Sequence, residues 1–463
     1  MTRLLLRDVA VSGRRVDVLI ERDRVVRVGP TLPATGLDEV IDGNGGALLP
    51  GLHDHHVHLL AAAASLSSVD CGPPAVTDLD ELARALRGAA TEDGWVRGTG
   101  YHESVAGDLD RHRLDDLLPG RPVRVQHRSG ALWMLNSAAL AVVRDGLDRT
   151  RDVERDEHGE PTGRLWRYDA RLRASLETSV PSLARLGARL AATGLTGVTD
   201  ATPDLDSTAV SAIASATTLH DLPLRVMLLG SPAQRDLPGD LCHGPRKILL
   251  RDHDLPDYGE LVGVVRAARE GTRPVAVHCV SRESLLLTLA VLDEVGHVAG
   301  DRIEHAALVP EAVIPRMARA GLHVVTQPDF VHLRGDDYLR DVDPRDLEEL
   351  YRVRSLRDAA VKVAISSDAP YSSSDPWTVM RAACRRRTRS GRVLGPGETL
   401  HPRQALASYL SDARTPGGPA RRVAPGERAD LVLLHVPLAT ALDELTSANV
   451  RVTIRAGAVH GAG

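Results

Sequence analysis

The residues best placed to do chemistry are His53-Asp54-His55-His56-Val57-His58, which close the short apolar run Leu48-Leu49-Pro50-Gly51-Leu52. Side chains alternate between the faces of a β-strand, so His56 and His58 point the same way with α-carbons roughly 6.6 Å apart. Two imidazoles on one face at a strand end are placed to hold a metal ion. Asp54 has the same parity and offers either an oxygen ligand or an acceptor for a ligand's second nitrogen. His53 and His55 have the opposite parity and should face away. With 19 histidines in the chain, a His-x-His pair alone says little. Its position after a Pro-Gly turn and an apolar strand favours metal binding over solvent exposure.

The 463 residues exceed one ordinary domain, although barrel enzymes reach this size with insertions. Hydrophobic residues make up 43% and charged ones 26%, a soluble composition with ample core. Phe occurs once, so that core must be built from Leu, Val and Ala. A net charge of −5 gives no electrostatic reason to expect nucleic acid. No apolar run approaches the ~20 residues of a membrane span, and Leu4-Leu5-Leu6 is too short for a secretory core. Cys71, Cys242, Cys279 and Cys384 form no Cys-x-x-Cys pair, which excludes the usual zinc-ribbon and redox motifs and suggests a reducing cytoplasm. Generic positive charge is supplied by arginine, and only Lys247 and Lys362 are lysines. A retained amine can lose its proton and react, which a guanidinium effectively cannot.

These residues need a scaffold. The N-terminal fifty residues alternate strongly: Val16–Ile20, a charged turn at Glu21 to Arg24 and Val25–Val28 predict a hairpin. Residues 430–434 and 450–454 are strand-like in the same way. Neither end has strands enough to bury a core alone. Residues 1–50 and 425–463 are therefore expected to form one small composite β-sandwich, with 51–424 inserted between them. In the insert, apolar strands alternate with Ala/Leu/Arg-rich helical stretches, the rhythm of a parallel sheet. Strands are predicted at 47–58, 197–201, 224–229, 247–250, 275–279, 302–305, 323–327 and 363–368. Eight is the number for an α/β (β/α)8 TIM barrel. Their spacing is regular except after the first, where an inserted subdomain of about 60–195 carries strands at 95–101 and 123–127.

Active-site residues in such barrels come from the C-terminal ends of several strands. Strand one ends in His56 and His58, and strand four carries Lys247. Strands five and six end in His278 and His305, and strand eight is followed by Asp368. Each has an ordinary alternative: His278 or His305 as a core histidine, Asp368 as a helix cap. Their joint order and placement are much harder to reach by chance.

Here the chain resembles the amidohydrolase superfamily, whose binuclear metal site has this order of ligands. Asp301-Arg302-Ile303-Glu304-His305-Ala306-Ala307-Leu308-Val309-Pro310, Ser367-Asp368-Ala369-Pro370 and Gly159-Glu160-Pro161-Thr162-Gly163 are similar to its amidohydrolase 3 (YtcJ-like) group. The resemblance implies that His56, His58 and Asp368 hold the more buried metal and that His278 and His305 hold the more exposed one. Lys247 would bridge both as a carbamate formed from CO2, or a one-metal site would replace this arrangement. The ligand set suits zinc, with iron, manganese, nickel and cobalt as alternatives. A water activated by the metal pair would attack a polarised carbonyl. Asp368 would take its proton and pass it to the leaving amine. Lys362, at the entrance of strand eight, reads as a surface charge.

Candidates for substrate contact are Tyr101, His102, His127 and Arg128 in the insertion, where a lid over strand one is expected. Arg251, Gln327, Tyr371 and Trp377 follow later strands. Tyr101-His102 replaces the Trp-Asp usual in the group, and Ser129-Gly130-Ala131 replaces Asp-Gly-His, so no relative's substrate transfers directly. The run 385–389, with four arginines, reads as a solvated helix face or helix end. Pro416-Gly417-Gly418-Pro419 reads as a plain turn. The leading expectation is a cytoplasmic, metal-dependent hydrolase of a C–N bond in an amide or cyclic amide, acting on a small molecule, with a homodimer implied by resemblance. A deaminase, an ester or lactone hydrolase, a metal-dependent isomerase or a non-catalytic barrel scaffold are the alternatives, and six intact ligand positions argue against the last.

Overall fold

Strand period two explains the terminal sheets. In the strand Arg3–Val11, Leu4 and Leu6 face one apolar cluster and Leu5 faces another. Its antiparallel partner Arg14–Glu21 obeys the same rule: Val18 and Ile20 join the first cluster and Leu19 the second. The hairpin continues into Arg24–Gly29, and Glu39–Asp42 adds a parallel strand at the other edge. A second four-stranded sheet, entirely antiparallel, orders Ala458–Gly461, Val450–Arg455, Leu431–Leu434 and Leu48–Pro50. Leu48, Leu431, Leu433 and Ile454 of this sheet share the cluster of Leu4 and Leu6.

The computed structural model describes residues 3–89, 94–168, 171–172, 175, 180–232 and 236–461. One unit comprises Met1–Leu59 with Leu183–Gly463, and Leu60–Ser182 forms the other. The first unit has an α/β architecture of the TIM-barrel type, with parallel strands connected by helices such as Ser207–Thr218, Tyr258–Glu270 and Arg282–Val295. Its strands pair as two parallel sheets, not as one continuous ring. Leu52–Val57, Leu195–Asp200, Arg225–Leu228 and Leu241–His243 are neighbours in the first. Arg246–Leu249, Val275–Cys279, Arg302–His305, His323–Thr326 and Lys362–Ile365 are neighbours in the second. Backbone hydrogen bonds link them at both borders, one at the first and two at the second. Lys247 N–H donates to Leu229 O (3.1 Å), His58 N–H to Ala369 O (2.8 Å) and Asp368 N–H to His56 O (2.8 Å).

Two departures from the sequence expectation have local causes. The predicted strand 47–58 divides at Gly51. Leu48–Pro50 pairs with the C-terminal strand, and Leu52–Val57 enters the parallel sheet. Gly51 lies so close to Thr196 that a Cβ would meet its Cγ2 at 2.2 Å, and its N–H donates to Asp430 O (2.8 Å). The short strand Leu241–His243 is additional. It ends at Gly244-Pro245, where proline has no N–H to continue a ladder.

The second unit centres on a six-stranded sheet ordered Val153–Arg155, Pro161–Trp166, Leu132–Leu135, Val123–His127, Val96–Tyr101 and Val69–Asp70. Asp156 accepts from the amides of His158 and Glu160 (both 2.9 Å), which closes the first two strands into a hairpin. Gly163 has φ 93°, and a Cβ there would lie 2.3 Å from Leu135 O, so only glycine fits. Among the described residues, no helix is long and apolar enough to cross a membrane.

The arginine run is not simply a solvated face. The helix Pro376–Arg385 ends at Arg386, whose left-handed backbone (φ 44°) turns its side chain into the protein. There it is fully buried and donates to Leu394 O (2.9 Å), Tyr351 O (3.0 Å) and Leu350 O (3.0 Å). Burial pushes its guanidinium down to about 10. The substitution Arg386→Met should remove the donor of the Leu394 and Leu350 carbonyls, at roughly 1–3 kcal/mol each, while Tyr351 O keeps its bond from Val353 N–H (2.8 Å). The urea midpoint should therefore fall by an amount corresponding to about 2 kcal/mol or more, and a loss under about 1 kcal/mol contradicts the anchoring role.

Candidate metal centre

Ligand atoms of His56, His58 and Asp368 all lie within 4.8 Å of one another. The histidines come from the end of Leu52–Val57 and the residue after it, and the carboxylate follows Lys362–Ile365. His56 Nε2 is 3.5 Å from Asp368 Oδ1, and His58 Nε2 is 3.2 Å from the same oxygen. Both His56 Nε2 and Asp368 Oδ1 are buried and make no hydrogen bond.

The other ring nitrogen decides what this means. His56 Nδ1 contacts Glu304 Oε2, an ionised carboxylate that only accepts, so the ring proton sits on Nδ1. His56 Nε2 then directs a lone pair at a carboxylate oxygen. Two buried acceptors facing each other repel unless a cation lies between them, and a divalent metal satisfies both. Burial and the Lys247 charge push the His56 imidazole down to about 4, favouring the neutral, metal-ready ring. His305 is fixed similarly: Nδ1 donates to Gln327 Oε1 (2.7 Å), and Gln327 Nε2 donates to Ser366 Oγ (2.9 Å). His58 Nδ1 is 3.1 Å from Thr202 Oγ1. Three rings thus have Nδ1 engaged, the usual arrangement around metal-binding histidines.

Glu304 is itself held by Arg302, whose Nη2 also donates to His55 O (2.8 Å). Burial alone would raise the Glu304 carboxyl, but Arg302 and His56 hold it well below the usual range. Burial would likewise raise Asp368, yet His56, His58 and His305 hold it low. Adjacent residues Glu304 and His305 both face this cluster, which strict strand alternation forbids. His305 resolves the conflict with a left-handed backbone, φ 69°, and Asp368 has φ 58°. Such strained positions concentrate at functional sites.

The His305 ring stands 4.9 Å from His56 and 4.4 Å from His278, centroid to centroid. Burial lowers His278 to about 3, with Lys247 adding to the effect. Lys247 is buried on Arg246–Leu249, and its amine is lowered by burial against the pull of Glu304 and Asp368. Asp54 accepts from the amides of His56 and Ser367 (both 3.2 Å), pinning the two ligand segments together. Its burial pushes the carboxyl up to about 6. His53 and His55 bond elsewhere, to Thr199 Oγ1 (2.9 Å) and Ser408 O (3.1 Å).

The candidate substrate residues separate. The Tyr371 ring packs edge-on to His58 at 5.7 Å. Gln327 is wholly buried and orients His305, in place of the expected pocket role. Trp377 is also wholly buried, donating to Thr193 O (3.1 Å). Tyr101, 1% exposed, packs in the core of its own unit and donates to Gly107 O (2.6 Å). His102 caps the short helix Glu103–Ala106, and His127 Nε2 lies 3.2 Å from Glu103. Arg128 N–H donates to Tyr101 O (2.8 Å), and the exposed Arg251 accepts a turn bond from Asp254 N–H (2.8 Å). Glu304, Arg302 and Thr202 were not anticipated. Glu304 had a signal, since it shares strand parity with Arg302 immediately before His305.

Comparison with known proteins gives consistent results. The model described as "Amidohydrolase family" matches residues 39–460. The chain is 27% identical to an N-substituted formamide deformylase from Arthrobacter pascens, over 96% of this chain and 92% of that protein. It is 26% identical to the putative amidohydrolase YtcJ of Bacillus subtilis, with 80% of each covered. In fold it is similar to an uncharacterised metal-dependent hydrolase from Pyrococcus horikoshii, with TM-score 0.76, 19% identity and 100% of both chains covered.

Replacing Glu304 with Gln should free the His56 ring to turn and lower metal affinity about 10–100-fold. Competition against a chromophoric chelator measures this, and unchanged affinity contradicts the orienting role. Stripping metal should also lower the melting temperature, and adding it back should restore it, because a ligand bound only by the folded state stabilises that state.

Proposed function

Given that this chain belongs to the amidohydrolase family and is an enzyme, we propose that it hydrolyses a C–N bond of an amide or cyclic amide carrying an apolar substituent. The observation that carries this reading is the unpartnered pair His56 Nε2 and Asp368 Oδ1, buried 3.5 Å apart. His56, His58 and Asp368 would hold one zinc ion and His278 and His305 a second. Lys247 would join them as a carbamate, and burial favours the uncharged amine that reaction with CO2 requires. When bound, the metal would acidify a water and polarise the scissile carbonyl.

The chain's own groups supply the rest. Asp368, held ionised by the surrounding histidines, is the base that takes the water proton and returns it to the leaving nitrogen. Its left-handed backbone and the hydrogen bond from its N–H to His56 O keep the carboxylate aimed at the cluster. Glu304 and Gln327 fix the tautomers of His56 and His305, and Thr202 holds the His58 ring through its Nδ1. We also read the two parallel sheets as one (β/α)8 barrel, supported by the hydrogen bonds at both borders. The shared apolar cluster of the terminal strands supports a composite β-sandwich.

The residues that follow the ligand strands favour an apolar substituent. Phe330, Tyr351, Ala307 and Leu350 form a buried cluster against which Val280, Leu308, Tyr338 and Tyr371 pack. Val280 and Leu308 come shortly after His278 and His305, and Tyr371 shortly after Asp368. This cluster holds the chain's single Phe and three of its 7 tyrosines, in a protein only 3% aromatic. The similar deformylase acts, by its name, on N-substituted formamides, so those compounds form the first test panel.

Turnover of N-aryl or long N-alkyl formamides should exceed that of N-methylformamide in kcat/KM by about tenfold or more, roughly one to two buried methylenes' worth of binding. A preference for charged or minimal substituents contradicts the apolar wall. Asp368→Asn should abolish turnover while most metal stays bound, and substantial residual activity overturns its role as base. Lys247→Ala should lose metal and regain part of the activity with added short-chain carboxylates. Full metal content and normal rate would refute the bridge.

A further inference from the structure

The second lysine has a setting of its own. Lys362 begins the strand whose far end leads to Asp368, so it lies roughly 20 Å of extended chain from the candidate metal centre. It opens on a cavity of about 430 Å³ lined also by Arg414, His297 and His323. Every ionisable side chain lining this cavity is basic, and no carboxylate is among them.

Neighbouring acids already have partners, two of them within the cavity's own rim. Asp301 pairs with Arg269 (2.6 Å) and accepts from the amides of Val275 and Val298 (both 2.9 Å). Asp293 pairs with Arg316 (2.6 Å) and His297 Nε2 (2.8 Å), and Asp412 accepts from the Arg414 amide (2.9 Å). Two of the basic groups are fixed in place. His323 is 3% exposed, its Nδ1 donating to Pro416 O (2.8 Å), and it sits directly opposite Lys362 in the strand register. His297 has a buried Nδ1 without a hydrogen-bond partner, although its Nε2 faces Asp293.

We propose that this cavity is a binding site for a small oxyanion, phosphate or a phosphate-bearing metabolite, with Lys362 and Arg414 as its principal charges. A compact ammonium binds phosphate as a point charge and a guanidinium binds it through paired N–H groups. In a chain that otherwise uses arginine for positive charge, a lysine here matches the tighter approach an ammonium allows. The same charges would hold a dicarboxylate, so the test separates the two chemistries.

Metal-replete protein is titrated calorimetrically with inorganic phosphate and, separately, with succinate, at constant ionic strength set by chloride. The expected result is saturable one-to-one phosphate binding. It should weaken about tenfold or more in the Lys362→Met/Arg414→Met double variant, whose altered side chains are both exposed. Binding should persist after the metal is stripped with a chelator, which separates this cavity from any phosphate held at the metal centre. Tighter succinate than phosphate would overturn the phosphate assignment. Absence of saturable binding, or equal affinity in the double variant, would overturn the site. Neither result bears on the hydrolase reading.

Discussion

A carboxylate and the lone pair of a neutral imidazole cannot be left facing each other in a dry interior without a positive charge between them. That constraint organises this protein. Glu304 forces the His56 proton onto Nδ1, and Asp368 faces the bare Nε2 across 3.5 Å. Arg302 in turn keeps Glu304 ionised, so the tautomer of a ligand on one strand is set by an ion pair on another. The catalytic reading rests on this chain of dependence more than on any single side chain.

The backbone supports it at cost to local geometry. Regular strands would send Glu304 and His305 to opposite faces, and the left-handed turn at His305 brings them to one cluster. Asp368 is turned in the same way, and its amide is tied to His56 O. Strain of about 1–3 kcal/mol at each such residue persists only where surrounding contacts impose it. The buried amide of Gln327 and the Asp54 carboxylate, bonded to both ligand segments, are contacts of that kind.

What the sequence made legible was periodic or positional. The alternation of the termini, the βα rhythm and the polar residues at strand ends all follow from rules with fixed periods. The His-x-His pair and the Asp after the eighth predicted strand were readable for the same reason. Less legible were features set by tertiary approach. Gly51 divides a continuous apolar run because Thr196 leaves no room for a side chain. Trp377 and Tyr101 are polar-tipped aromatics near sequence positions of interest, yet each finds a backbone carbonyl inside its own fold. Arg386 belonged to a charged run, and only the left-handed residue ending its helix turns it inward. Sequence spacing carries no trace of that reversal.

The seam at Gly51 has one more implication. The segment leading into the first two ligands, Leu48–Pro50, pairs with Leu431–Leu434, and Gly51 itself bonds to Asp430. A chain emerging from the ribosome therefore makes the candidate histidines hundreds of residues before the strand that anchors them exists. Their geometry must wait until Leu431–Leu434 has been made, and deleting that strand would loosen side chains encoded far upstream of it.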